Sequence, residues 1–172
     1  MSRSPLRIGV TELRRRPGTQ RDVAVAAPLP GLVLSTARVP DGADVALDGV
    51  LEAVEGGITL RGHLHAPWVG ACRRCLEDVE GTVDVDLSEV FEPRPTPGET
   101  YAIEGDDIDL EPLLRDAVLT HLPLAPLCRE DCRGPAPEDL PVVVEGEGDE
   151  PAEPRGDPRW AALDVLREDP DR

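Results

Sequence analysis

DVALDGVLEAVEGGITLRGHLHAPW, residues 44–68, alternates apolar and polar side chains on both sides of a glycine pair. From Asp44 to Glu55 one face reads Val45, Leu47, Gly49, Leu51 and Ala53, and the other reads Ala46, Asp48, Val50, Glu52 and Val54. A period of two belongs to a β-strand, whose successive side chains point to opposite faces. Gly56-Gly57 supplies a turn, after which Ile58, Leu60, Leu64, Ala66 and Trp68 share one side against Thr59, Arg61, His63 and His65. The two runs read as a hairpin.

Beyond it, Val79, Val83, Val85, Leu87 and Phe91 alternate with Glu80, Thr82, Asp84, Asp86 and Ser88, giving a third strand with an acidic outer face. The pattern implies an antiparallel meander with one wet face. Upstream, residues 22–27 and 32–39 are short β-rich pieces separated by Pro28-Leu29-Pro30-Gly31. Thr11 is placed to cap a brief basic helix through Arg14, Arg15 and Arg16, which Pro17-Gly18 ends. Residues 92–105, with Pro93, Pro95, Pro97 and Gly98, read as a loop. A second helix opens at Asp109 with Pro112 in its tolerant first turn and stops at Pro123. Leu110, Leu113, Leu114, Ala117, Val118 and His121 fall on one face, so His121 is expected as a core histidine.

The expected fold class is therefore α+β, an antiparallel sheet of about five strands packed by one main helix. Residues 1–133 form that domain. Residues 134–156 are rich in Pro, Glu and Gly and read as a flexible acidic segment with a scrap of strand at Val142-Val143-Val144. Residues 157–172 open on Asp157-Pro158-Arg159-Trp160, an Asp cap with Pro at the first helical position, so a short terminal helix is expected that either docks through Trp160 or binds something else.

Composition narrows the function. Eighteen basic against 35 acidic side chains leave a net charge of −17. Every cation is Arg and Lys is absent, which looks like GC-rich coding bias. Such a surplus repels phosphate backbones at long range, so nucleic acid would need the local patch Arg14, Arg15 and Arg16, whereas a basic protein partner is electrostatically easier. Nineteen Pro and sixteen Gly exclude a coiled coil. No apolar stretch reads as a signal core or membrane span, so a cytoplasmic protein with no membrane contact is expected. No phosphate-cradling glycine loop, nucleophile elbow or carboxylate pair stands out, and neither catalysis nor a small-molecule substrate is expected.

Cys72-Arg73-Arg74-Cys75 lies in the connection between the second and third strands, where a tight turn brings two sulfurs to one point. Cys128 and Cys132 form a second pair after the helix, and the four could make a zinc site. They could equally be four reduced thiols without a ligand. A redox pair wants its first Cys at a helix start, and here Gly70 and two strands flank it. His63 and His65, on one strand face, could serve as ligands or acid/base groups in a metal-dependent hydrolase, although solvated histidines are the commoner occupants of such a face.

These blocks resemble the YceD family, the large ribosomal RNA subunit accumulation proteins of bacteria. The resemblance rests on Cys72-Arg73-Arg74-Cys75-Leu76 before an acidic strand, Ile108-Asp109-Leu110 opening a helix, Leu122-Pro123-Leu124-Ala125-Pro126-Leu127-Cys128, Asp131-Cys132-Arg133-Gly134, and Asp157-Pro158-Arg159-Trp160-Ala161-Ala162-Leu163. Their order from Leu6 to Leu166 is similar to the family's, in a GC-rich, actinobacterial-like member. Many relatives continue into a further cysteine pair, where this chain has Ala136 and Asp139. Either Cys128 and Cys132 recruit Cys72 and Cys75, or the metal is lost. The resemblance implies a non-catalytic factor for accumulation or maturation of large-subunit rRNA. Its expected partner is a ribosomal protein or the pre-ribosomal large subunit, with rRNA contacted directly or through that partner. Arg14, Arg15, Arg16, Arg73, Arg74 and Trp160 are the candidate RNA or partner contacts. A zinc-linked adaptor unrelated to ribosomes and a Cys-dependent redox enzyme are the alternatives.

Overall fold

The computed structural model describes residues 4–135. The chain runs β1 (Arg7–Gly9), α1 (Thr11–Arg14), β2 (Gln20–Pro28), β3 (Ala37–Arg38), β4 (Asp44–Val54), β5 (Gly57–Ala71), β6 (Asp78–Glu92), β7 (Tyr101–Glu104), β8 (Asp107–Asp109) and α2 (Glu111–His121). The strands form one curled sheet in the order β1-β8-β7-β6-β5-β4-β2, with β3 paired to β5 off that path.

The alternation of residues 44–68 becomes β4 and β5 in antiparallel register, Leu47 opposite Leu64 and Leu51 opposite Leu60. Val45, Leu47, Leu51, Ala53, Ile58, Leu60, Leu64 and Ala66 are all buried. The turn falls one residue earlier than the glycine pair suggests. Val54 pairs with Gly57, so the turn is Glu55-Gly56, and Gly56 takes a φ of +90° that only glycine adopts without a clash. Gly57 belongs to β5, where a Cβ would collide with the carbonyl oxygen of Phe91 on β6.

Two expectations are corrected. The protein is mostly β, and its sheet is mixed: β6 and β7 run parallel at Phe91–Tyr101 and Glu92–Ala102. Residues 92–105 are not all loop, because Tyr101–Glu104 pairs with β6 and then with β8. Such three- and four-residue strands are too short to show a period, and they form only through pairing, β7 against the end of β6 and β8 between β7 and β1. The described residues thus hold eight strands.

The helix ends also differ from the sequence reading. Val10, not Thr11, sits at the cap position of α1, and no side chain caps it. At α2 the Asp109 carboxylate accepts the Glu111 N–H at 2.9 Å, which satisfies one donor of the first turn. Leu110, Leu113, Leu114, Val118 and Leu122 bury one side of α2 in the core. His121 is exposed, its Nδ1 2.8 Å from the Ala117 carbonyl, and is not a core histidine. It lies at the C-terminal end of α2, where it stays in solvent beside the last carbonyls. Residues 136–156, the Val142-Val143-Val144 scrap, and the 157–172 helix with Trp160 lie outside the described residues.

The distal half of the β5–β6 hairpin extends beyond β4 and carries the Trp68 indole packed over Gly81. A Cβ on Gly81 would stand 2.7 Å from Trp68 Cζ2. Gly81→Val should therefore destabilise the fold by about 1–3 kcal/mol, the usual cost of overpacking. A urea titration followed by tryptophan fluorescence checks this, and an unchanged midpoint would show that the indole moves aside freely.

Candidate metal centre

The hairpin tip and the segment after α2 meet at the four cysteines. Cys72 follows β5, Cys75 closes the tip, and Cys128 and Cys132 come from the loop beyond α2. Their sulfurs all lie within 4.8 Å of one another. Cys72 Sγ is 3.9 Å from Cys132 Sγ, and Cys75 Sγ is 3.6 Å from Cys128 Sγ. Neither pair is bonded, since a disulfide needs about 2.05 Å. A tetrahedron of sulfurs about 2.3 Å from a central zinc has edges of about 3.8 Å. The separations of 3.9 and 3.6 Å bracket that edge, and Cys72 and Cys132 are buried, so the donor set fits a four-thiolate ion.

Backbone geometry brings the sulfurs together. The Leu76 N–H donates to the Cys72 carbonyl at 2.9 Å and the Cys72 N–H to the Glu77 carbonyl at 2.8 Å, which closes the tip into a compact loop. Leu76 takes a φ of 65°, the left-handed region that non-glycine residues avoid, and its side chain is 74 % exposed. The Arg73 N–H donates to the Pro126 carbonyl at 2.9 Å, joining the two loops. The Arg74 guanidinium then donates to the carbonyls of Glu130 and Cys132 at 2.9 and 2.8 Å.

Electrostatics favour a cation here. The amides of Cys75 and Cys128, joined by that of Arg74, point at the Cys72 sulfur and hold its thiol down to about 6 against the opposing effect of burial. Cys75 has one stabilising contact, the Glu77 amide, but burial and the three neighbouring thiols outweigh it and push Cys75 up to about 12. Cys128 is also raised, first by its contact with Cys132 and then by burial. One thiolate is welcome in the cluster, and further ones repel each other unless a positive ion sits between them.

The other candidates stand apart from the sulfurs. His63 and His65 face Asp86 and Asp84 across β5–β6, with His63 Nδ1 3.0 Å from Asp86 Oδ1 and His65 Nδ1 2.8 Å from Asp84 Oδ1. His65 precedes Cys72 by seven residues of extended chain, on the order of 20 Å at about 3.3 Å per residue, so the histidines and cysteines cannot share an ion. Arg14 donates to the Gly105 carbonyl at 3.0 Å, Arg15 pairs with Glu12 at 3.5 Å, and Arg16 has no side-chain partner among the described residues. All three are exposed, as is Arg73. Sequence reading placed Arg74 among the partner contacts without seeing its bonds to the second cysteine loop. It gave Glu77 and Pro126 no role at the site, because they act through backbone carbonyls, which residue type does not reveal.

The histidine ladder carries its own prediction. His63 is held above its usual 6.5 chiefly by the hydrogen bond to Asp86, against partial burial and with help from Asp84. Because the folded value is raised, this pairing stabilises the fold below pH 6.5 and is lost as pH rises through the folded value. Asp86→Asn should bring the His63 titration, followed by its imidazole NMR shift, back toward 6.5. An unmoved titration would assign the shift to Asp84 instead.

Comparison with known proteins bears on this arrangement. Residues 60–167 match the family model described as large ribosomal RNA subunit accumulation protein YceD, a span that contains all four cysteines and begins within β5. An uncharacterized protein of Mycobacterium tuberculosis is 36 % identical over 170 residues, covering 93 % of this chain and 80 % of its own length. One from Mycobacterium leprae is 36 % identical over 181 residues, covering 96 % and 80 %. Uncharacterized protein YlbN of Bacillus subtilis is 28 % identical over 141 residues, covering 77 % and 75 %. No solved structure matches. With the family model covering more than half of its length and mycobacterial relatives matching nearly all of it, this chain belongs to the YceD family.

Proposed function

We propose that the protein is a non-catalytic cytoplasmic factor supporting accumulation or maturation of large-subunit rRNA, with zinc at Cys72, Cys75, Cys128 and Cys132 as a structural staple. The carrying observation is that the family match spans four cysteines whose sulfurs all lie within 4.8 Å of one another. Four protein ligands leave no open coordination position for a substrate or an activated water, and no histidine reaches the sulfurs. Among the described residues no helix is long and apolar enough to cross a membrane.

The partners follow from charge. A basic ribosomal protein or the pre-ribosomal large subunit suits the acidic wet face, while Arg14, Arg15 and Arg16 offer the local patch through which rRNA is approached. Deleting the gene should lower large-subunit rRNA and the large-subunit peak in a sucrose gradient, and normal subunit profiles would remove the reading. Neutralising Arg14, Arg15 and Arg16 should weaken RNA association more than removing residues 146–154. The opposite ranking in a pull-down would reject this division of labour.

A further inference from the structure

We propose that the open edge of β6, from Asp78 to Val90, docks an extended Lys/Arg-rich polypeptide segment that joins the sheet as an added strand. On one side β6 pairs with β5 from Asp78 to Phe91. On the other, β7 meets it only at Phe91 and Glu92. Among the described residues no backbone or side-chain group bonds to the rest of that edge. Every second residue of a strand turns both its N–H and its C=O to the same side, so the edge presents a row of unpaired donors and acceptors about 40 Å long at about 3.3 Å per residue.

Sheet edges are usually blunted by shortness, by proline or by a bulge. β6 has the full length of its partner and contains no proline. Its guard is charge: Glu80, Asp84 and Asp86 line the wet face, Glu89 lies on the other, and the strand carries no basic residue. One sign of charge repels a second copy of this edge and equally repels the acidic residues 145–153 of the same chain. It attracts a cationic strand. Because side chains alternate, the fitting segment places Lys or Arg at every second position, across from Glu80, Thr82, Asp84, Asp86 and Ser88, with small apolar residues between them beside Val79, Val83, Val85 and Leu87. The other long exposed edge, β2, is shorter, mixes Arg21 with Asp22 and ends at Pro28. For the source of the strand, a basic extension of a ribosomal protein, the inference rests on the assembly-factor reading.

The test uses the full chain and a fluorescent dodecapeptide of alternating lysine and valine. Two further versions carry N-methylated backbone amides at all lysines or at all valines. In strand addition one set of peptide amides faces β6 and the other faces solvent, so one methylated peptide should lose binding and the other keep it. Hydrogen exchange should slow only within Val79–Val90. Glu80→Gln/Asp84→Asn/Asp86→Asn together should weaken affinity at least tenfold, with the urea midpoint of this variant measured alongside. Equal binding of both methylated peptides would overturn the proposal, as would protection outside β6, or edge amides already as slow in the free chain as those of β5. Failure here alongside a large-subunit defect in the deletion strain removes only the edge. Binding as expected with normal subunit profiles removes only the assembly reading.

Discussion

Cys72→Ser should abolish stoichiometric zinc. The wild-type chain purified from zinc-containing medium is expected to hold one ion per molecule through dialysis against a mild chelator, and the variant close to none. Cys72 is the fully buried member of the cluster, 3.9 Å from Cys132, and three amides converge on its sulfur. A serine hydroxyl keeps the size but supplies no thiolate, so those amides face a neutral oxygen and the ion loses one of its four anions. Structural zinc sites carry about 10–16 kcal/mol of apparent binding free energy, which rivals the whole stability of a domain. The loss should nevertheless stay local. The hairpin tip and the loop after α2 are joined by the cluster, by Arg73 to Pro126 and by Arg74 to Glu130 and Cys132. Hydrogen exchange should therefore quicken in residues 72–77 and 123–134 while β4 and the proximal half of β5 keep their protection. Full retention of zinc by Cys72→Ser, or a wild-type chain that binds none at micromolar zinc, would remove the metal from the account.

The second large effect is expected from Phe91→Ala, at about 3–5 kcal/mol. Phe91 is fully buried at the junction where β6 leaves Ile58 of β5 and begins its parallel pairing with Tyr101 of β7. Its ring lies 5.6 Å from that of Tyr101 at an interplanar angle of 37°. Removing it opens a space beside the Tyr101 ring in a tightly packed core and loosens the joint between β6 and β7. Urea unfolding should show the lowered midpoint, with Thr59→Ala on the wet face of β5 as a control staying within about 0.5 kcal/mol of wild type. A Phe91→Ala cost below about 1 kcal/mol would mean that the β6–β7 junction repacks.

Much of the architecture was legible because the long strands announce themselves. Eleven residues of β4 and fifteen each of β5 and β6 give the two-residue period room to repeat, and the faces it assigns to β4 and the proximal half of β5 are the buried ones. Short elements lack that room. Residues 101–104 and 107–109 carry no pattern of their own, and their pairing is set by neighbours distant in sequence. The helix face was legible except at His121, where the stripe ran on but the core did not.

At the site, residue type alone named the four ligand candidates, because thiols in two close pairs are rare and chemically distinctive. It could not say whether the pairs meet, since 53 residues separate Cys75 from Cys128. It was equally silent on Arg74, whose side chain reads as a surface cation but ends on two carbonyls of the other cysteine loop. The chain by itself determined alternation, net charge and the chemistry of its sulfurs, all properties of residues and their near neighbours. Convergence of those sulfurs, the parallel joint at Phe91 and the side of β6 left unpaired among the described residues were decided only by the tertiary structure, because each depends on which distant backbone groups find partners when the sheet closes around its core.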